Sequence, residues 1–175
     1  MDANEGAAAP KRRMSIGAII GSLLAGLLIG LLIGYLVAPA PSPGVPANTI
    51  VLTGTSVHLS VLAGPAGDLD FSIGGLENPT LQARSGTQVI VHFTNIDPAV
   101  NHSMSFLATA PPYPGEVMGD PAFAGAETPD AHMGTMPGDS ATFTFTASTA
   151  GTYYYICHVP GHAAAGMYGK FVVTA

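Results

Sequence analysis

What this chain can become is decided above all by Tyr153–Lys170, YYYICHVPGHAAAGMYGK. The stretch holds the one cysteine in 175 residues, Cys157, followed by His162 and Met167 with four residues between each successive pair. A β-like run, Thr152–Ile156, leads in and a second, Phe171–Thr174, leads out, so the three side chains share one loop between two strands. Thiolate, imidazole and thioether form a soft donor set that suits copper and suits magnesium or calcium poorly. A single cysteine also excludes an internal disulfide framework and any metal centre bridged by two thiolates. Outside a cell, a lone thiol is a liability unless something occupies it. A metal would do so.

From Asn48 onward the chain consists of short β-branched and aromatic runs cut by Gly, Pro, Asn and Asp. Ile50–Leu52, Val57–Leu62, Leu69–Ile73, Val89–Thr94 and Ser103–Leu107 are strand candidates, and Ala141–Thr146, Tyr153–Ile156 and Phe171–Thr174 complete the set. Val89, Val91 and Phe93 alternate with Ile90, His92 and Thr94, as Ala141, Phe143 and Phe145 do with three threonines; both are patterns of half-buried strands. Seven or eight such strands without a helical period predict an all-β Greek-key sandwich or barrel. Residues 108–138, rich in Gly and Pro, are too long for an ordinary connection and predict a packed excursion.

A blue-copper centre needs a second imidazole beside the thiolate, the first imidazole and a weak axial thioether. Asn101-His102-Ser103 is the best source, because it lies between two predicted strands where a sandwich brings distant loops together. His92 and His58 belong to alternating runs, where exposure or ordinary packing is the simpler reading. His132, with Met133 and Met136, offers a second soft site or a copper-loading patch against the plainer reading of a polar loop. His158 follows the cysteine directly and should point away from any metal held by it.

The N-terminal part has a different composition. Lys11, Arg12 and Arg13 precede Ile16–Val37, an uncharged run that as a helix would span about 33 Å, enough for the hydrocarbon core of a bilayer. Residues 1–15 then form a short basic head on the cytoplasmic side, with everything after Val37 outside. The run exceeds the core of a signal peptide, and Pro39, Pro41 and Pro43 follow it, which favours an uncleaved anchor. Residues 38–47 read as a proline-rich spacer reaching roughly 30 Å, leaving 48–175 as the folded domain. That domain has two basic side chains, Arg84 and Lys170, against nine acidic ones. Phosphate contacts need clustered cations, so nucleic acid is excluded as a partner.

The loop C-H-V-P-G-H-A-A-A-G-M resembles that of the cupredoxins, and within them sulfocyanin and rusticyanin. The likeness to sulfocyanin is the closer, extending to the anchor, the spacer, the FSIGG segment and the whole of 48–175. It implies one type 1 copper, with His102 and His162 as imidazole ligands, Cys157 as thiolate and Met167 as axial ligand. It implies that Ser103 ties the two ligand loops together and that the ring edge of His162 is an electron port, ringed by Pro160, Ala163, Ala164 and Ala165. The function implied is electron shuttling in a respiratory chain, with a terminal oxidase or cytochrome complex as redox partner. Two other readings are an oxidase or nitrite-reductase module with a second copper, and a copper storage or delivery protein. The first wants closely paired histidines, and the chain has no His-X-His.

Overall fold

A computed structural model describes residues 44–175, with a compact unit at Val45–Ala175. The predicted basic head, membrane span and most of the spacer lie outside the described residues. Among those described, no helix is long and apolar enough to cross a membrane.

Ten strands form two five-stranded sheets. In chain order they are β1 (Thr49–Val51), β2 (Ser56–Ala63), β3 (Phe71–Ile73), β4 (Leu76–Glu77), β5 (Thr80–Arg84), β6 (Gln88–Asn95), β7 (Ser105–Leu107), β8 (Ser140–Thr146), β9 (Gly151–Ile156) and β10 (Tyr168–Thr174). The first sheet runs β1-β5-β10-β9-β7 and the second β4-β3-β2-β6-β8. Pairing is mixed: β1 with β5, β5 with β10 and β2 with β6 are parallel, and the remaining pairs antiparallel. The all-β sandwich expected from the alternating runs is present.

Alternation settles which side of each strand is buried. Leu59, Val61 and Ala63 of β2, Val89, Val91 and Phe93 of β6, and Phe143 and Phe145 of β8 face inward from the second sheet. Leu81, Ala83, Tyr155, Phe171 and Val173 meet them from the first. Phe106 of β7 sits among them, its ring centroid 4.7 Å from Phe145, 5.2 Å from Phe171 and 6.0 Å from Tyr155. Removing such a ring from a closed core costs about 3–5 kcal/mol.

The long connection between β7 and β8 is packed, as its length demands. Phe123 stacks on Phe145 and lies 4.6 Å from Tyr153, while Tyr113 and Val117 join Leu107, Ile156 and Ala163 in a second apolar cluster. The same connection hydrogen-bonds along the segment that precedes and forms β7. Thr135 exchanges both backbone bonds with His102, at 2.7 and 3.2 Å, Thr128 N–H donates to Met104 O, and Phe106 N–H donates to Ala126 O. The excursion therefore acts as an extra edge that holds the His102 segment in place.

Candidate metal centre

Two loops at one end of the sandwich carry the centre. The first is the turn after β6, where Asn95 and Asp97 organise the backbone. Asp97 N–H donates to Asn95 Oδ1 at 3.0 Å, and Asp97 Oδ1 accepts from Ala99 N–H at 2.7 Å and Val100 N–H at 2.9 Å. Asn95 Nδ2 donates to the carbonyls of Val100 and Thr135, fastening this turn to the excursion. Short Asn and Asp side chains that bond the backbone a few residues on are the ordinary chemistry of such a turn. Here they deliver His102 to a fixed, fully buried position.

The second loop joins β9 to β10. Its base is closed by Cys157 N–H donating to Met167 O at 3.1 Å, and Met167 N–H donates to His162 O at 3.0 Å. The four-residue intervals thus match one compact turn, with Cys157 and Met167 opposite each other at its foot. Both are fully buried, whereas His162 is only partly so.

These loops bring His102, Cys157 and His162 together, with one donor atom from each inside a mutual 4.8 Å. Cys157 Sγ lies 3.4 Å from His162 Nδ1 and 3.9 Å from His102 Nδ1, and the imidazole centroids are 5.0 Å apart. Sulfur and nitrogen bound to one ion at ordinary metal–ligand lengths, with tetrahedral to trigonal angles, sit about 3.5–3.8 Å apart. The donor set therefore fits a copper ion in both chemistry and spacing. Ser103 bridges the loops as expected: its N–H points at Cys157 Sγ at 3.3 Å, and its hydroxyl accepts from His158 N–H at 2.9 Å. An N–H aimed at sulfur stabilises thiolate over thiol.

Asp97 is the residue that sequence reasoning missed. Its Oδ2 lies 3.2 Å from His102 Nε2, the nitrogen facing away from the sulfur, and both side chains are buried. A carboxylate there accepts a hydrogen bond from Nε2–H and so leaves the Nδ1 lone pair free for a metal, the usual arrangement behind a metal-bound imidazole. In sequence alone, Asn95-Ile96-Asp97-Pro98 carries only the chemistry of a turn. Gly64 makes room for the pair: its φ is +68°, and a Cβ there would overlap the Asp97 side chain and lie 2.7 Å from His102 Nε2. Gly134, at φ +76°, similarly lets the excursion approach Val159 and the His102 carbonyl.

Burial shapes the electrostatics. It pushes the Cys157 thiol up, against the opposing bonds from Ser103 and Val159, so the thiolate forms when a cation displaces the proton. Burial also lowers His102, with Asp97 acting against it, and lowers His162, so both rings favour the neutral, donating form. Burial pulls Asp97 upward, yet the Ala99 and Val100 N–H groups and His102 outweigh it and hold the carboxyl below its usual range.

The other histidines fall elsewhere. His158 is buried, turned from the cluster, and stacked at 4.6 Å on the exposed ring of His132. Met133 and Met136 are exposed. His58 and His92 stand on the outer face of the second sheet. The expected ring of small residues around His162 needs one correction. Pro160, Ala164 and Ala165 are exposed, but Ala163 is buried in the cluster of Tyr113 and Ile156. The turn from His162 to Ala165 points that methyl inward.

The chain is similar to several known proteins. A family model described as multicopper oxidase matches residues 72–175. Rusticyanin from Acidithiobacillus ferrooxidans is 36% identical over 135 residues, covering 74% of this chain and 69% of the relative, and rusticyanin from Acidithiobacillus ferridurans matches to the same extent. A solved structure of reduced rusticyanin superposes with a TM-score of 0.61 at 36% identity, covering 75% of this chain and 88% of that one.

Proposed function

The chain belongs to the cupredoxins, among the rusticyanin-like blue copper electron-transfer proteins, and we propose that it is a membrane-tethered carrier of single electrons. A His-Cys-His-Met site of this kind fits one type 1 copper. The observation that carries the reading is the closed cluster of His102, Cys157 and His162 beneath the surface, with Met167 buried at the foot of the same loop.

Copper bound there supplies the one-electron Cu(II)/Cu(I) couple. In this assignment His102 Nδ1, His162 Nδ1 and Cys157 Sγ would hold the copper, with the Met167 thioether as a weaker fourth donor. Four protein donors leave no open position for a substrate, which suits relay and not bond making. Asp97 and the excursion fix the His102 ring, and the closed loop fixes the other donors. Little rearrangement is then needed when the charge of the site changes. His162 alone among the three reaches the surface, so its ring edge is the port for electrons. Pro160, Ala164 and Ala165 beside it form a small uncharged contact suited to brief docking.

The same reading makes residues 16–37 an uncleaved anchor in the cytoplasmic membrane and 38–47 a stiff spacer, with the copper domain on the outer face. Its partners are then a terminal oxidase or cytochrome complex of a respiratory chain, in the manner of the sulfocyanins. The anchor, spacer and loop motif of the sequence support this assignment.

The multicopper oxidase model favours one rival, an oxidase module. That chemistry needs a further copper cluster near the thiolate, and the six histidines contain no His-X-His. Both readings meet one experiment. The full chain loaded with Cu(II) is expected to show an intense thiolate-to-copper band, bleached by one electron per chain, with no dioxygen consumed in the presence of a reductant. Absence of the band would remove the carrier reading, and steady dioxygen uptake would install the oxidase.

A further inference from the structure

The outer face of the second sheet holds a pair of imidazoles that the copper centre does not use. Strands β2 and β6 run parallel with His58 opposite Ile90 and Ser60 opposite His92, so both rings leave the same face. His58 Nδ1 and His92 Nε2 are 2.9 Å apart, the ring centroids 5.2 Å apart, and the planes within 5° of each other. The difference between those two separations is taken up by the two ring radii. The facing nitrogens therefore lie on the line joining the rings, edge to edge in one plane. Two bare lone pairs cannot point at each other at that distance, so either a ring proton or a cation belongs between them.

The surroundings bear on which. His92 Nδ1 lies 3.4 Å from Thr142 Oγ1 on β8. A proton kept on Nδ1 for that hydroxyl leaves Nε2 bare toward His58, the way a hydrogen bond on one nitrogen selects the other as ligand. The strands β2, β6 and β8 contain no Asp, Glu, Lys or Arg. No carboxylate on them draws a hard cation, and no basic group repels a dication. Two imidazole nitrogens bound in adjacent or tetrahedral positions of a first-row dication sit about 2.9–3.4 Å apart. The observed spacing already lies there, and turning each exposed ring by roughly 35–45° converges the two lone pairs on one ion.

We propose that His58 and His92 form a second metal site, on the surface, for an imidazole-seeking transition-metal dication, with Cu(II) bound more tightly than Zn(II). Water completes its coordination, which makes it an open site unlike the closed one at the loop end. The inference goes beyond the electron-carrier reading and does not rest on it.

The test is a titration of the full chain, already loaded with its first copper, with Cu(II) sulfate near neutral pH. Bound copper is expected to rise from one to two per chain, with a new EPR signal of wide hyperfine splitting and nitrogen couplings. H58Q and H92Q should each weaken this second event by at least about tenfold while leaving the blue band unchanged. H132Q should leave both untouched. The proposal is overturned if no second equivalent binds, if H58Q and H92Q have no effect, or if H132Q removes the signal. A missing blue band with the second signal intact would count against the carrier reading alone.

Discussion

Imidazoles meet in two regions of this molecule, and they meet differently. At the loop end His102 is sealed from solvent, held behind by Asp97 and facing Cys157 and the partly exposed His162. On the outer face of the second sheet His58 and His92 stand in the open, with the Thr142 hydroxyl beside His92. The residue type is the same in both places. What separates a fixed one-electron centre from an adaptable surface site is burial, convergence on a thiolate and a second layer that locks the ring. Each of those features can be removed singly.

The largest effect is expected from the thiolate. Cys157→Ser should abolish the intense visible band, whereas H58Q and H92Q should leave it at full strength; absorption spectra of copper-loaded variants decide this. His102→Ala comes next. It opens a cavity and strands a buried carboxylate, at a cost of roughly 3 kcal/mol in chemical denaturation of the metal-free protein, and it should lose the blue band as well.

A third prediction concerns His158, whose burial and whose neighbour His132 lower its pKa to about 4. The unfolded chain binds this proton at about 6.5, so the native state binds fewer protons between those values. Stability from this group is complete above about pH 6.5 and is lost as pH falls through 4, up to ~3 kcal/mol in the metal-free protein. H158L should flatten that slope in denaturation series from pH 7 to 4. A slope unchanged in H158L would show that other groups produce it.

The smallest shift is expected at Asp97. D97N keeps the shape but removes a negative charge from behind His102, which favours Cu(I). A difference of about 1 kcal/mol between oxidation states corresponds to roughly 40 mV for a one-electron couple, so the reduction potential should rise by that order with the band retained. A merely structural role would leave the potential where it was.

Much of this architecture can be read from local pattern. The loop Tyr153–Lys170 encodes its own spacing, and the strands around Val89–Phe93 and Ala141–Phe145 announce their buried faces by alternation. Strands β4 and β5 escaped notice because Leu76–Glu77 is too short for a period and Thr80–Arg84 offers only Leu81 and Ala83 as apolar residues. The parallel pairing of β5 with β1 and β10 joins residues far apart in sequence, which no local period records. His102 was legible from its place between two runs. Asp97 was not, since an aspartate in a turn looks the same whether it caps backbone alone or also holds a ligand. Taken singly in the sequence, His58 and His92 are ordinary residues of alternating strands. Their meeting depends on the β2–β6 register, which exists only once the sheet forms.

The account stands on one metal position between two loops. Diffraction from crystals of the copper-loaded chain, collected at the copper absorption edge, measures it directly. The expected result is a buried anomalous peak about 2.0–2.3 Å from His102 Nδ1, Cys157 Sγ and His162 Nδ1, with the Met167 sulfur on its axis. A strong peak beside His132, Met133 and Met136, with none between Cys157 and His102, would contradict it.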